Sequence, residues 1–379
     1  MRTTKWAMGV AGVGIAAVTW WTSHATARVE EPISAPRAGA TAPAPAPAAV
    51  PVTPPTDTTS CERKLQAMKD GLGASALDDD AANALTTTAR STAASDATTD
   101  TACALRAYQL LAADRSCGRG KTAIVAGLFV GDLFQADWTA QLVDDGSPAC
   151  LRALLPAVQS TTNVSVRLEG SVEKIARSSP DPELRDAGWL ALGSIELAAK
   201  NRGATDVVRL ADAALRSKLD AANGNERTTL LEAAGNGACD GCRDQIVRAR
   251  TDDDPRVRAA AVGASRFAPE PDAVDTMCDR LRRDDEAGVR EQAAWAMGWR
   301  PEHDSPRVDC LASAAAKDGA PGVRRAATRS LTVLGPRSTR AVSALDRLAK
   351  ESDDPDVRRI ADEYRRSGGA PFDPAEVGL

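Results

Sequence analysis

The sequence predicts an all-α protein, a right-handed α-solenoid of stacked helix pairs behind a disordered N-terminal linker. Three observations predict it. Val257-Arg258, Val289-Arg290, Val323-Arg324 and Val357-Arg358 recur at spacings of 32, 34 and 34 residues. A fixed period of this size marks a helical array, because one helix pair cannot bury its apolar face alone. Aromatics make up only 3% of the chain, which suits thin helix-on-helix packing through small side chains. No stretch alternates apolar and polar residues with hairpin turn chemistry; the nearest approach to a strand, VAGLFVGDLF at 125–134, keeps helical spacing.

Residues 1–27 read as a signal peptide. Arg2 and Lys5 form a basic start, Trp6 to Trp21 is uncharged and apolar, and Ala25-Thr26-Ala27 is a small-x-small cleavage pattern. Cleavage there leaves a chain beginning at Arg28. The alternative is an uncleaved N-terminal anchor, with Trp20-Trp21 at a membrane interface. Residues 28–60 are a linker dense in Pro and Ala, expected to be extended and polyproline-like. Both readings of the N-terminus make the protein exported, periplasmic or extracellular.

From Cys61 the pattern turns helical. Residues 61–180 form an irregular helical part, with candidate helices near 61–72, 79–95, 99–113, 121–134, 147–159 and 165–178. Regular repeats follow over 181–367, and 368–379 is a C-terminal tail. Within a repeat, small or apolar residues recur at offsets 0, +4, +7 and +10 from the valine: Val289, Ala293, Ala296 and Trp299 in one unit, Val257, Ala261, Ala264 and Phe267 in another. That stripe predicts one buried helix face. Asp-Pro pairs open several helices, the Asp as cap and the Pro in the first turn.

The segments Asp254-Pro255-Arg256-Val257-Arg258 and Asp354-Pro355-Asp356-Val357-Arg358, each followed by an alanine-containing helix, resemble HEAT repeats over roughly 181–367. The resemblance implies a curved α-solenoid that serves mainly as a scaffold. It also implies that Arg258, Arg290, Arg324 and Arg358 form a structural ladder, bonded to carboxylates and carbonyls between repeats. A second likeness runs through Leu192-Gly193-Ser194, Leu230 to Asn236 and Val257 to Val262. These resemble the helical superhelix of vitellogenin-type large lipid-transfer proteins, which implies a hydrophobic ligand, although the sheets of those proteins have no counterpart here.

Eight cysteines follow the export signal: Cys61, Cys103, Cys117, Cys150, Cys239, Cys242, Cys278 and Cys310. An even count in that context reads as disulfides. Pairing neighbours closes the shortest loops. Cys278 and Cys310 raise an objection, since each lies 21 residues after its repeat valine. Equivalent positions in stacked helices stand about 8–10 Å apart, beyond the roughly 7 Å a bridge allows. That pair needs a local shift of register, or one member joins the Cys239/Cys242 loop.

Little in the chain points to catalysis, a cofactor or a metal. Gly118-Arg119-Gly120-Lys121-Thr122 lacks the first glycine of a phosphate loop, Arg115 standing in its place, and reads as an interhelical turn. Cys239-Asp240-Gly241-Cys242 reads as a structural disulfide, with a thiol-disulfide redox pair as the functional alternative. No second C-x-x-C or His pair completes a zinc set. His303 is the one histidine beyond the signal and reads as a solvated loop side chain. The runs Asp78-Asp79-Asp80 and Asp252-Asp253-Asp254 read as helix caps. Asn163-Val164-Ser165 matches a glycosylation acceptor. Residues 250–366 carry 22 basic and 22 acidic side chains, so the repeats lack the positive field of a nucleic-acid binder. Trp295 stands at offset +6, where other units have Gly263 and Arg329. A residue that breaks the repeat is the leading candidate for binding. The expectation is therefore an exported, non-enzymatic scaffold that binds a protein partner, with a lipid-binding helical protein or a Cys239/Cys242 redox protein as alternatives.

Overall fold

The computed structural model describes residues 58–74, 76–93, 101–128, 134–159, 161–267, 273–300 and 305–369. Residues 1–57, where the signal peptide and linker are expected, together with His303 and the tail beyond Gly369, lie outside the described residues. Eighteen α-helices and three 3-10 turns appear among them, with no strand. In chain order the helices are α1 (Thr58–Gly71), α2 (Asp79–Ala93), α3 (Thr101–Ala113), α4 (Arg119–Leu128), α5 (Phe134–Asp144) and α6 (Pro148–Val158). Then come α7 (Val166–Ser178), α8 (Pro182–Arg202), α9 (Thr205–Ala221), α10 (Gly224–Gly237), α11 (Arg243–Ala249) and α12 (Pro255–Ala264). The last six are α13 (Ala273–Arg283), α14 (Ala287–Gly298), α15 (Ser305–Lys317), α16 (Pro321–Leu334), α17 (Thr339–Glu351) and α18 (Pro355–Arg366).

The helices form two rows. Each even-numbered helix from α2 to α18 packs on the next even-numbered one without a break. The odd-numbered helices make the second row, where contact is sparser. The irregular-looking segment before residue 180 thus follows the same alternation as the repeats. The core is correspondingly linear, one apolar stretch running from Leu65 to Ala264 and a second from Val262 to Tyr364, meeting at α12. This is the packing expected of an array in which each unit touches only its neighbours.

Local chemistry sets the helix starts. Asp181, Asp254 and Asp354 are N-caps with Pro at the first turn, and each accepts an N–H two residues on, at 3.0, 2.9 and 2.9 Å. Asp78 likewise caps α2. Where the rows are tightest, glycine is required. A Cβ at Gly193 of α8 would strike the Ala233 carbonyl of α10, so these helices meet backbone to backbone.

The predicted stripe is buried at offsets 0, +4 and +7, as at Val257, Ala261 and Ala264 or Val289, Ala293 and Ala296. Offset +10 is not core. Phe267 and Trp299 are partly exposed and Val333 is exposed. At about 100° per residue, +10 lies about 80° off the valine's direction, and α12 and α14 have already ended there.

All eight cysteines are paired as neighbours: Cys61–Cys103, Cys117–Cys150, Cys239–Cys242 and Cys278–Cys310. The Cα atoms of Cys278 and Cys310 are 6.0 Å apart, so α13 and α15 approach closely enough for a bridge despite occupying equivalent repeat positions. Two of the bridges, α1 to α3 and α13 to α15, tie the sparser row. There a covalent link supplies what the packing does not.

Candidate functional site

The even-row helices present two different edges. Their N-terminal edge carries the arginine ladder. Arg258 donates two hydrogen bonds to the Asp284 carboxylate, at 3.1 and 3.0 Å, and two to the carbonyls of Asp252 and Asp253. Arg290 repeats this on Asp318, at 2.9 and 3.0 Å, and on the carbonyls of Asp284 and Asp285. Arg324 bonds Asp354 at 2.7 Å and the carbonyls of Asp318 and Gly319. Arg358, in the last helix, donates to Ser352 O and is exposed.

Each aspartate of the ladder is shared. Asp284 and Asp318 also accept N–H groups of the turn that opens the next helix. Burial alone would raise the carboxyl pKa of Asp284, Asp318 and Asp354, but the arginine and backbone donors prevail and hold them below the usual carboxylate range. The accepting carboxylates of Asp284 and Asp318 in turn raise Arg258 and Arg290. Arg227 adds an unpredicted rung, 2.9 Å from Asp252. It stands 31 residues before Arg258, a signal the Val-Arg pattern hid because Glu226, not Val, precedes it. A charged cavity of about 310 Å³ beside this edge is lined by Arg258, Arg280, Arg283, Asp252, Asp284 and Asp285.

The other edge, toward the helix C-termini, carries the aromatics. Trp295 of α14 and Trp299, its C-cap, stand four residues apart, with ring centroids 5.9 Å apart. Both are partly exposed, but only Trp295 packs against the apolar core. The expectation that Trp299 is core is therefore corrected: it caps α14 from outside, while Trp295 is the more anchored ring. Beneath them lies Arg266, which sequence reasoning missed. Its guanidinium is 5.0 Å from the ring centroids of both Phe267 and Trp295. It donates to Gly263 O at 3.0 Å and to Asn236. Burial pushes Arg266 down to about 10, with the Glu232 carboxylate opposing the shift. Nothing in its local sequence distinguished it from the surface arginines. The patch thus offers partly exposed rings from two repeats, with Val333 of a third repeat also exposed.

The remaining sequence candidates resolve locally. Lys121, of the phosphate-loop look-alike, is buried and donates to Asp114 O at 2.7 Å, so the turn holds its own chain. Asn163 is fully buried, so the glycosylation match is not accessible in this fold. Cys239 and Cys242 are bridged and buried. Near them Glu196, Asp212 and Cys239 bring three ligand-type atoms within 4.8 Å of one another, the one such group among the described residues. A second cavity, of about 440 Å³, is lined mainly by Asp275, Asp279, Arg282 and Asp309 around Cys278.

The family profile described as HEAT repeats matches residues 211–298 and 279–364. Comparison with curated proteins returns no match. Among solved structures, similarity extends to an engineered protein, at 16% identity and TM-score 0.33, over 80% of this chain and 87% of that one. Human deoxyhypusine hydroxylase in complex with glycerol is similar at 16% identity and TM-score 0.31, over 82% and 97%. Importin beta is similar at 14% identity and TM-score 0.37, over 81% and 48%. These superpositions are loose and carry no argument about activity.

Proposed function

Residues 211–364 are HEAT repeats, and from that premise we propose that the chain is an exported, non-enzymatic scaffold that binds a protein partner along its even-numbered helices. The observation that carries this reading is the ring cluster of Phe267, Trp295 and Trp299 held over the buried Arg266. Aromatic side chains offer large contact area at small entropic cost, and they dominate binding hot spots. Here Phe267 and Trp295 lie against the Arg266 guanidinium and Trp299 packs on Trp295, with part of each ring open.

Four further facts support the reading. The even row packs more closely than the odd row. A two-row array bends toward its tighter row, so the even helices line the inner face. The Val-Arg arginines are engaged in holding repeats together, which leaves repeat-breaking side chains to set specificity. The complete pairing of the cysteines suits an oxidising compartment. The two cavities are lined mainly by charged groups, which does not favour a lipid ligand.

The test is an affinity pull-down from the exported fraction with the chain from Arg28 onward. Trp299→Ala should weaken capture by tenfold or more while leaving thermal unfolding nearly unchanged. Capture undiminished in both Trp299→Ala and Trp295→Ala would overturn the proposed surface.

A further inference from the structure

Glu196 lies within α8 and is fully buried. Its Oε1 is 2.9 Å from Lys200 Nζ. Its Oε2 has no hydrogen-bond partner and faces the C-terminus of α10, where a Cβ on Gly237 would strike it. Asp212, from α9, converges on the same turn. It accepts the Gly241 N–H at 2.9 Å and lies 3.4 Å from Cys239 Sγ. A Cβ on Gly241 would strike Asp212 Oδ2. Glycine at both positions lets two carboxylates press on one short turn. The second sulfur, Cys242 Sγ, is bonded to Cys239 Sγ and so shares this space.

A buried carboxylate oxygen without a partner is costly unless a cation offsets it. Lys200 covers Oε1 only, and it is also drawn to Ala238 O and Asp240. We propose that Cys239 and Cys242 in their thiol form, together with Glu196 and Asp212, make a site for a divalent metal of the zinc class, and that metal and disulfide are alternative occupants of this turn.

The donor set is two sulfurs and two carboxylate oxygens, which suits a borderline-soft tetrahedral ion. Two thiolates at ~2.3 Å from such an ion lie about 3.8 Å apart. The 5.3 Å Cα separation of Cys239 and Cys242 permits this once the S–S bond is absent. Cysteines are synthesised as thiols, so the site exists before a two-electron oxidant closes the bridge. After closure, a dithiol reductant restores it, becoming a disulfide itself as the two protein sulfurs take up two electrons and two protons. The ion then displaces one proton from each thiol, and the Glu196 and Asp212 carboxylates complete the donor set, any carboxyl proton leaving to solvent. Lys200 stays on Oε1 and fixes the orientation of the ligating carboxylate, as outer-shell partners do.

The test uses Cys242→Ala, purified without reductant. It frees the Cys239 thiol and leaves the other three bridges closed. Titrated with cobalt(II) alone, it should bind one equivalent and show a thiolate-to-cobalt absorption band that the bridged wild type lacks. Adding Glu196→Gln should weaken binding at least tenfold, and Asp212→Asn is the second variant, with helicity checked by circular dichroism. Absence of the band from both Cys242→Ala and the reduced wild type, each still folded, would overturn the proposal. So would cobalt affinity unchanged by both carboxylate substitutions in folded protein.

Discussion

Single residues show where a helical array tolerates imperfection. Glu169 is almost fully buried in α7, with Oε1 unpartnered and Glu173 adding repulsion. Burial, first, and Glu173, second, push its pKa up to about 7, against an ordinary 4.5, with Arg177 opposing. The folded state therefore holds this proton more tightly than the unfolded chain does. The stability linked to it is complete below about pH 4.5 and is lost as pH rises through about 7. Glu169→Gln should accordingly raise stability at pH 8 by about 1–3 kcal/mol relative to wild type and change little at pH 4, as read by urea denaturation at the two pH values. An equal effect at both pH values would refute it. The tryptophans make a second prediction. Trp295→Ala should cost about 1–2 kcal/mol of stability because the ring is half-buried on the core, and Trp299→Ala less than about 1. Thermal melts of both would check the order. Periodicity could not give that order, since offsets +6 and +10 lie on one flank of α14 and only their neighbours separate them.

Among elements, the ladder works as a coupling between one helix start and the next. Each arginine fastens the turn before its own helix and the aspartate that shapes the following turn. Arg290→Ala leaves Asp318, largely buried, without its bidentate partner and should cost about 3 kcal/mol. Arg358→Ala, at the open end, should cost less than about 1 kcal/mol. Chemical denaturation of the pair is the measurement, and equal losses would sink the coupling. The Val-Arg spacing showed this ladder in advance because the period is linear in sequence. Its partners were less legible. Asp284 and Asp318 stand five residues before a valine, but Arg324 reaches Asp354 instead, because Ser352 occupies the equivalent position. The Arg266 cluster was illegible for a related reason: it joins residues from α10, α12 and α14, and stacking across repeats leaves no local trace. The Glu196, Asp212 and Cys239 convergence was hidden in the same way, with ligands spread over three segments.

At the scale of the whole molecule, the chain is two core stretches meeting at α12, and cooperativity should weaken there. Urea unfolding followed by tryptophan fluorescence and by circular dichroism should give non-coincident transitions. Trp295 reports the C-terminal stretch, and Trp138 and Trp189 the N-terminal one. A single coincident transition would contradict it. The bridges add a mechanical consequence. Under tension applied at its two ends, a loop closed by a disulfide bears no load. Cys61–Cys103, Cys117–Cys150 and Cys278–Cys310 enclose 42, 33 and 32 residues. At ~3.5 Å per extended residue they withhold roughly 370 Å of contour. Between Cys150 and Cys278 only the three-residue loop at Cys239–Cys242 is short-circuited. That central span is the longest part of the described array left free to pay out. A pull on this protein would therefore lengthen its middle most and the stretch after Cys310 less, while the three bridged loops stay closed, so it behaves as a tether whose extensible sections are separated by short inextensible clips.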